Sequence, residues 1–491
     1  MNPRAITVPF LLLLFGVPLG QAAWELARSE RPAALEVFGP IEEARLRRFE
    51  DELRQSSFVH RQVTPWYQAF LTAALRRGNE KALIGRSDWL YYSEDLDYVH
   101  APDFLAGRTW SPADAVADFR DQLADLGAEL LVVPVPPKVT VEPSFLASWT
   151  ADVAWPDNPA AAAFHGELRA RGVQVVELGP LYRELRAAAP DSPLYLARDT
   201  HWSPATMRAV AARVAREARA AGVAPEPDPG RWEAVPRSAT GPGDLVGMLR
   251  LPAGVEPFPP LAVEFEAVRD ARTGAPFAPE RDAEVLLLGD SFTRVFSDPQ
   301  LGLGKGAGLA ESLAHELGSP LDVIAISGGG ARAVREALAR RPGGPAGKRL
   351  VIWQFSMRDL AADPERWERV ALRAPDGDAA PGAAGRVSVE AEVVEVSRVP
   401  SEFDYAFCLA VYEYRVLALL EGPDPGAAVW VAHVAVDDYA EEPGAAFAAG
   451  ERHRLVLEDV GAHHDLEATS WVDDTDAGAA IWFPVEWAPA E

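Results

Sequence analysis

Two short stretches hold residues whose types and spacing suit nucleophilic catalysis. "DTHW" (Asp199–Trp202) sets a carboxylate and an imidazole two residues apart. In an extended or turn segment, side chains at i and i+2 point the same way. Asp199 can then hold one ring nitrogen of His201 as N–H and leave the other free as a base. "LLLGDSF" (Leu286–Phe292) places Ser291 after a leucine run and Gly289. A serine hydroxyl is a weak nucleophile at neutral pH and needs such a base. An imidazole with an ordinary pKa of about 6.5 suits that work. Neither motif is specific alone, since Gly-Asp-Ser tripeptides and Asp-x-His pairs are both common in turns. Together, each at a strand end, they predict acyl chemistry through serine. Asp290 reads as a turn and backbone-bonding residue, not as the triad acid.

The attacked carbonyl becomes a charged tetrahedral oxygen and needs hydrogen-bond donors. The Ser291 N–H is one candidate. Gly329 and Gly330 in "SGGGA" (Ser327–Ala331) are others, at the start of a predicted helix; a plain strand-to-helix turn is the alternative. Lys138 in "VPPK", Trp202, and Arg358 in "WQFSMRD" are candidate substrate contacts. Each has a plainer alternative: Lys138 capping a strand edge, Trp202 packing beneath the pocket, Arg358 in a surface ion pair.

Residues 111–356 must supply the scaffold. Apolar runs alternate with helix signals: "ELLVVPVP" (Glu129–Pro136), "VQVVEL" (Val173–Leu178), "AEVLLLGDS" (Ala283–Ser291), "LDVIAIS" (Leu321–Ser327) and "RLVIWQFS" (Arg349–Ser356). Ser111-Pro112 and Ser203-Pro204 open two of the helices, each a cap followed by proline at the first helical position. Tyr195 to Ala197 read as a short strand before the second of these. Continuous apolar strands between helices imply an α/β fold, a doubly wound parallel sheet covered on both faces. Ligands of such sheets sit beyond the carboxyl ends of the strands. "ALIGRSDWLYY" (Ala82–Tyr92) reads as a hairpin, Ile41 to Arg77 as helical with Leu46, Phe49 and Leu53 on one face, and Ala221–Ala278 as Pro/Gly-rich connection.

The texture changes after residues 373–386, a linker by composition. Residues 387–491 read as a small all-β domain, barrel or sandwich, of unknown role. Its tryptophans Trp430, Trp471, Trp482 and Trp487 either pack as core or stack on sugars. Residues 41–372 form the expected catalytic domain. Near the N-terminus, about sixteen uncharged residues follow Arg4; residues 1–26 read as a signal peptide or a membrane anchor.

The net charge of −26 excludes a nucleic-acid partner, which needs a basic face. One cysteine, Cys408, forbids an internal disulfide and any cysteine-rich zinc site. "GLGKGAG" (Gly302–Gly308) is no phosphate loop, because Gly306 stands where Ser or Thr must follow the lysine. No metal or cofactor is expected.

Ser291 in "LGDSF", Asp199–His201 in "DTHW" and the glycine block resemble an SGNH hydrolase-like domain. That family usually carries its histidine pair near the C-terminus; here the pair precedes the serine. This order resembles the alginate O-acetyltransferase branch, the AlgJ/AlgX-like proteins. "LIGRSDWLYY", "LVVPVPPKVTVEP" and "GPGDL" (Gly241–Leu245) match further segments of it. "VIWQFS" lacks the asparagine of the family's third block, and the tail shows no motif of its carbohydrate-binding module. The resemblance implies an acyltransferase moving acetyl through Ser291 to hydroxyls of an exported polysaccharide, alginate-like or another exopolysaccharide. It implies His201 as base and Asp199 as its orienter. It also implies a periplasmic location at the inner membrane and a membrane-bound O-acyltransferase supplying the acetyl. A carbohydrate esterase or deacetylase with the same triad, and a non-catalytic polysaccharide-binding assembly protein, are the alternatives.

Overall fold

The computed structural model describes residues 15–17, 19–27, 57–107, 110–150, 152–153, 155–341, 343–362, 364–372, 385–397, 399, 407–437, 440–463, 466, 469–475, 477 and 481–490. Two compact units divide the chain: residues 1–80 with 247–259, and residues 81–246 with 260–491. The expected amphipathic stretch around Leu46, Phe49 and Leu53 and nearly all of the expected linker 373–386 lie outside the described residues. So does much of the expected export segment; residues 15–17 and 19–27 of that region are helical. Among the described residues no helix is long and apolar enough to cross a membrane. The first unit contains α1 (Thr64–Leu75), which buries Gln68, Ala69 and Thr72.

In the second unit the strands up to residue 356 are β1 (Ala82–Ile84), β2 (Leu90–Tyr92), β3 (Glu129–Val135), β4 (Gln174–Val175), β5 (Trp232–Gly241), β6 (Leu261–Asp270), β7 (Val285–Gly289), β8 (Asp322–Ala325) and β9 (Leu350–Ser356). Five of them form one parallel sheet in the order β4-β3-β9-β7-β8. Helices that bear on this unit and its site include α2 (Pro112–Asp125), α3 (Ala161–Ala170), α4 (Leu178–Ala188), α5 (Pro204–Ala220), α6 (Asp244–Met248), α7 (Ser291–Arg294), α8 (Leu309–Leu317) and α9 (Gly330–Arg340).

Alternation along the strands feeds two cores. Leu130, Val132, Leu286, Leu288 and Val351 pack with Phe119 of α2, Phe164 of α3 and Val334 of α9. Leu131, Val133, Leu287 and Ile352 pack with Val210 and Val214 of α5 and Leu313 of α8. Each fully buried side chain of this size contributes roughly 1.5–3 kcal/mol, and the sum on both faces holds the sheet in place. The helix starts follow their caps. Ser111 and Asp114 exchange side-chain and backbone bonds in a capping box, with Pro112 behind them. Ser203 Oγ accepts from Thr206 N at 3.3 Å.

Three expectations change. The strand expected over Val173–Leu178 is only β4, because Leu178 opens α4, whose Pro180 sits in the first turn, where its missing N–H costs nothing. The Pro/Gly-rich stretch contains a hairpin of two ten-residue strands, β5 with β6, paired from Trp232↔Asp270 to Gly241↔Leu261. Tyr195 to Ala197 form no strand; Tyr195 makes one isolated antiparallel bridge to Trp202.

After residue 386 come β10 (Val387–Val396), β11 (Phe407–Glu421), β12 (Ala428–Asp437), β13 (Ala440–Glu441), β14 (Arg452–Asp459), β15 (Ser470–Val472) and β16 (Ile481–Pro489). β10, β11, β12, β16 and β14 close on one another in that order, with β12 and β16 parallel and the other neighbours antiparallel. This is a closed five-stranded barrel of the OB type. Val389, Tyr412, Val431, Leu455 and Trp482 fill it, so Trp482 is core. Flanking β15 meets the sheet domain: Arg340 stacks over Trp471 at 4.6 Å, and Ser470 Oγ donates to Ser327 O at 3.4 Å.

Candidate active site

Because the sheet is parallel, the carboxyl ends of β3, β7 and β9 share one edge. β7 ends at Gly289, where any Cβ would collide with Thr293 Oγ1 and come within 2.9 Å of Gln354 Oε1. Glycine is therefore required for the chain to turn directly into α7. Asp290 caps that helix, its Oδ1 accepting from Phe292 N at 2.8 Å. The same Oδ1 accepts from Gln354 Nε2 at 2.9 Å, and Oδ2 accepts from Ser356 N at 3.1 Å. Gln354 Oε1 accepts in return from Asp290 N at 3.1 Å and from Thr293 Oγ1 at 2.8 Å. Asp290 thus ties the turn bearing Ser291 to β9, as a backbone-holding residue should.

The other half of the site is the tight loop between Tyr195 and Trp202. Leu196 N donates to His201 O at 3.0 Å, closing it. Asp199 Oδ1 accepts from His201 N at 3.0 Å and from His201 Nδ1 at 2.6 Å. His201 Nε2 lies 2.8 Å from Ser291 Oγ. Residues ninety positions apart in the chain therefore meet as a Ser–His–Asp relay. Asp199 and His201 are buried and Ser291 is half-buried. The Phe292 ring stands edge-on to His201 at 4.7 Å and to Trp202 at 5.2 Å, which holds the imidazole plane.

The charges favour an imidazolium. Burial alone would raise the Asp199 carboxyl, but the His201 charge and hydrogen bonds outweigh it and hold it below the usual range. Burial alone would lower His201; attraction to Asp199, then its hydrogen bond, then Asp244 outweigh burial, so its pKa is raised, with Arg358 pulling the other way. Burial, then repulsion from Asp199, pushes Asp244 up to about 6.

Two sequence candidates are corrected. Lys138 is wholly buried, and its ammonium donates to Leu90 O at 2.6 Å, Ala197 O at 2.9 Å and Asp199 O at 3.0 Å. It lies over the Trp89 and Tyr91 rings, and burial draws its pKa down to about 7. It has no donor left for a substrate; it braces the backbone of Asp199. Trp202 is also wholly buried and packs beneath the pocket. Arg358 does lie at the site. It stacks over Phe292 at 5.7 Å and Tyr92 at 5.2 Å, and Nη1 donates to buried Asp95 at 3.0 Å. Gly329 and Gly330 enter α9, and Gly329 N donates to Ile326 O at 3.4 Å.

Sequence reasoning missed Gln354, Phe292 as a wall for the imidazole, and Asp244. The only signal for Asp244 was "GPGDL", quoted as a segment without a role. Asp199, His201 and Asp244 each offer a ligand atom within 4.8 Å of one another, the spacing a cation site would need. Their oxygens are already engaged: Asp199 Oδ2 accepts from Asp244 N at 2.9 Å, and Asp244 Oδ1 and Oδ2 accept from Thr200 N at 2.8 Å and Thr200 Oγ1 at 2.5 Å. The donor set fits a hydrogen-bonded relay.

Known proteins bear on this site. Residues 82–357 match the family model described as the SGNH hydrolase-like domain of acetyltransferase AlgX, over more than half of the chain. A probable alginate O-acetylase AlgJ from Pseudomonas syringae pv. tomato is 24% identical over 215 residues, which is 41% of this chain and 49% of that protein. The Pseudomonas aeruginosa protein of the same description is 24% identical over 255 residues, 50% of this chain and 61% of that protein. The chain thus spans about half the length of the curated relatives it matches. Solved structures that align include the O-acetyltransferase domain of Pseudomonas putida AlgJ, with a TM-score of 0.41 and 19% identity over 59% of this chain and 98% of that one. Pseudomonas aeruginosa AlgX aligns with a TM-score of 0.41 and 19% identity over 65% of this chain and 71% of that one. By the match that takes in β1 through β9 and both halves of the relay, the chain belongs to the AlgX family of SGNH hydrolase-like acetyltransferase domains.

Proposed function

We propose that the protein is a polysaccharide O-acetyltransferase working through an acetyl-Ser291 intermediate. The observation that carries this is the relay, with Nε2 2.8 Å from Oγ and Nδ1 2.6 Å from a buried carboxylate. Ser291 Oγ attacks the carbonyl carbon of an acetyl donor while His201 Nε2 takes the hydroxyl proton. The tetrahedral intermediate collapses, and the donor's leaving group departs with that proton. A sugar hydroxyl then attacks the acetyl ester, losing its proton to His201, and the new sugar ester leaves as Ser291 regains a proton. Asp199 keeps Nδ1 as the N–H and balances the imidazolium. The Ser291 N–H, first in α7 and without an intrahelical partner, is one oxyanion donor. Gly329 or Gly330 is the candidate second donor. Arg358 adds positive charge beside the reacting centre.

The acceptor is an exported polysaccharide, in keeping with the relatives named as alginate O-acetylases. Periplasmic placement through the N-terminal segment and acetyl supply by a membrane-bound O-acyltransferase complete the reading. Given an activated acetyl ester and an oligosaccharide, the protein should acetylate the sugar faster than it releases acetate. Acetate release with no acetylated sugar would instead make it an esterase with the same relay.

The raised His201 pKa sets a pH dependence. Only neutral imidazole takes the serine proton, so acylation falls about tenfold per pH unit on the acid side. The midpoint of that limb should lie above the ordinary value of about 6.5. A midpoint at or below that value would contradict the assigned electrostatics.

A further inference from the structure

We infer that Asp244 is a second carboxylate acting on the catalytic imidazole, a positioning residue that locks the Asp199–His201 segment and adds negative charge beside Nδ1. The inference rests on the proposed role of the Ser291 relay.

The lock is reciprocal. Asp244 N donates to Asp199 Oδ2 at 2.9 Å, while Asp244 Oδ1 and Oδ2 accept from Thr200 N at 2.8 Å and Thr200 Oγ1 at 2.5 Å. Asp244 Oδ2 lies 3.6 Å from His201 Nδ1, and Thr200 Oγ1 lies 3.2 Å from the same nitrogen. The backbone is shaped for this approach. Gly243 has φ +85°, and a Cβ there would strike the carbonyl of Arg198, next to Asp199. The turn therefore presses the start of α6 against the loop that carries the relay.

A purely structural role does not need the charge. Any residue but proline at position 244 supplies the N–H to Asp199, and asparagine could accept from Thr200 N. A carboxylate in this place is partly desolvated and repelled by Asp199; its bonds from Thr200 offset part of that cost, and a positive charge forming nearby offsets more. The imidazolium of His201, formed in each proton transfer, is that charge. The other charged groups around it are Asp199 on its own loop, Arg358 after β9 and Lys138 after β3; Arg358 opposes protonation. Lys138, bonded to the Asp199 carbonyl, is drawn to Asp199 and Asp244.

The test is Asp244→Asn in the full chain, which keeps shape and an acceptor oxygen but removes the charge. With ¹³C-histidine labelling, the His201 signal is assigned by its loss in His201→Gln. Its titration midpoint should fall by about one pH unit in Asp244→Asn. Asp244→Glu, which keeps the charge, should retain most of the raised midpoint. The acid limb of acylation by an activated acetyl ester should move down with the midpoint, and its plateau should fall less than that of Asp199→Asn. An unchanged midpoint in Asp244→Asn overturns the inference. So does a loss of acylation equal to that of Asp199→Asn, which would make Asp244 a primary triad acid. If the midpoint falls but the wild-type protein acylates with no ester, the Ser291 reading fails while the Asp244–His201 coupling stands.

Discussion

Ser291→Ala should lower acetyl transfer by about ten-thousand-fold or more and abolish the covalent intermediate. Oγ sits 2.8 Å from Nε2 of an imidazole whose other nitrogen is held by a buried carboxylate. Alanine removes the atom that accepts the acetyl and leaves the rest of the site in place. Ser291 is half-buried at the first position of a short helix, and the change takes one hydrogen bond from buried His201 Nε2, so the melting temperature should fall by only a few degrees. Intact-protein mass spectrometry after a pulse of activated acetyl ester should show one added acetyl group on the wild type and none on the variant. His201→Ala should match it, because the two residues act as one unit and their effects do not add. Full transfer by Ser291→Ala would show that acetyl reaches the sugar by another route.

Lys138→Met should be the most damaging change outside the relay. The side chain is similar in length, but the carbonyls of Leu90, Ala197 and Asp199 lose the ammonium as donor, Ala197 O keeping the Leu90 N–H at 2.8 Å. Removing three charge-assisted bonds in a buried place costs on the order of 3 kcal/mol. The loss falls on the segment that carries Asp199 and His201, so acylation should decline beyond what the fall in stability explains. Thermal unfolding and ester acylation, measured below the melting transition, separate the two effects. A variant with wild-type stability and acylation would remove Lys138 from the support of the relay.

The parts of the fold that could be read in the sequence are those set by local rules. β3, β7 and β9 are mostly apolar on both faces, as strands of a doubly covered parallel sheet are. α2 and α5 begin at Ser-Pro pairs whose capping is a matter of a few adjacent atoms. The hairpin β5–β6 is hidden in the sequence because its pairing spans nineteen residues of connection and leaves one face exposed, so alternation is weak. β4 was over-read because a β-like run, "VQVVEL", gives way after two paired residues to a helix that packs Leu181 and Tyr182 on the sheet.

Within the site, the sequence by itself determined which residues could act as nucleophile, base and orienter. Asp-x-His and Gly-Asp-Ser each encode a local geometry, and the order of the two motifs carried the family resemblance. Only the tertiary structure decided that His201 and Ser291 meet, since they stand ninety positions apart with α5, the β5–β6 hairpin and β7 between them. It also decided the tasks of the remaining polar residues. Lys138, a candidate substrate contact or strand cap in the sequence, is an internal brace; Asp244, given no role there, lies 3.6 Å from His201 Nδ1. The reason is physical: a side chain's chemical type is local, but its burial and its partners depend on which distant segments the core packs against it.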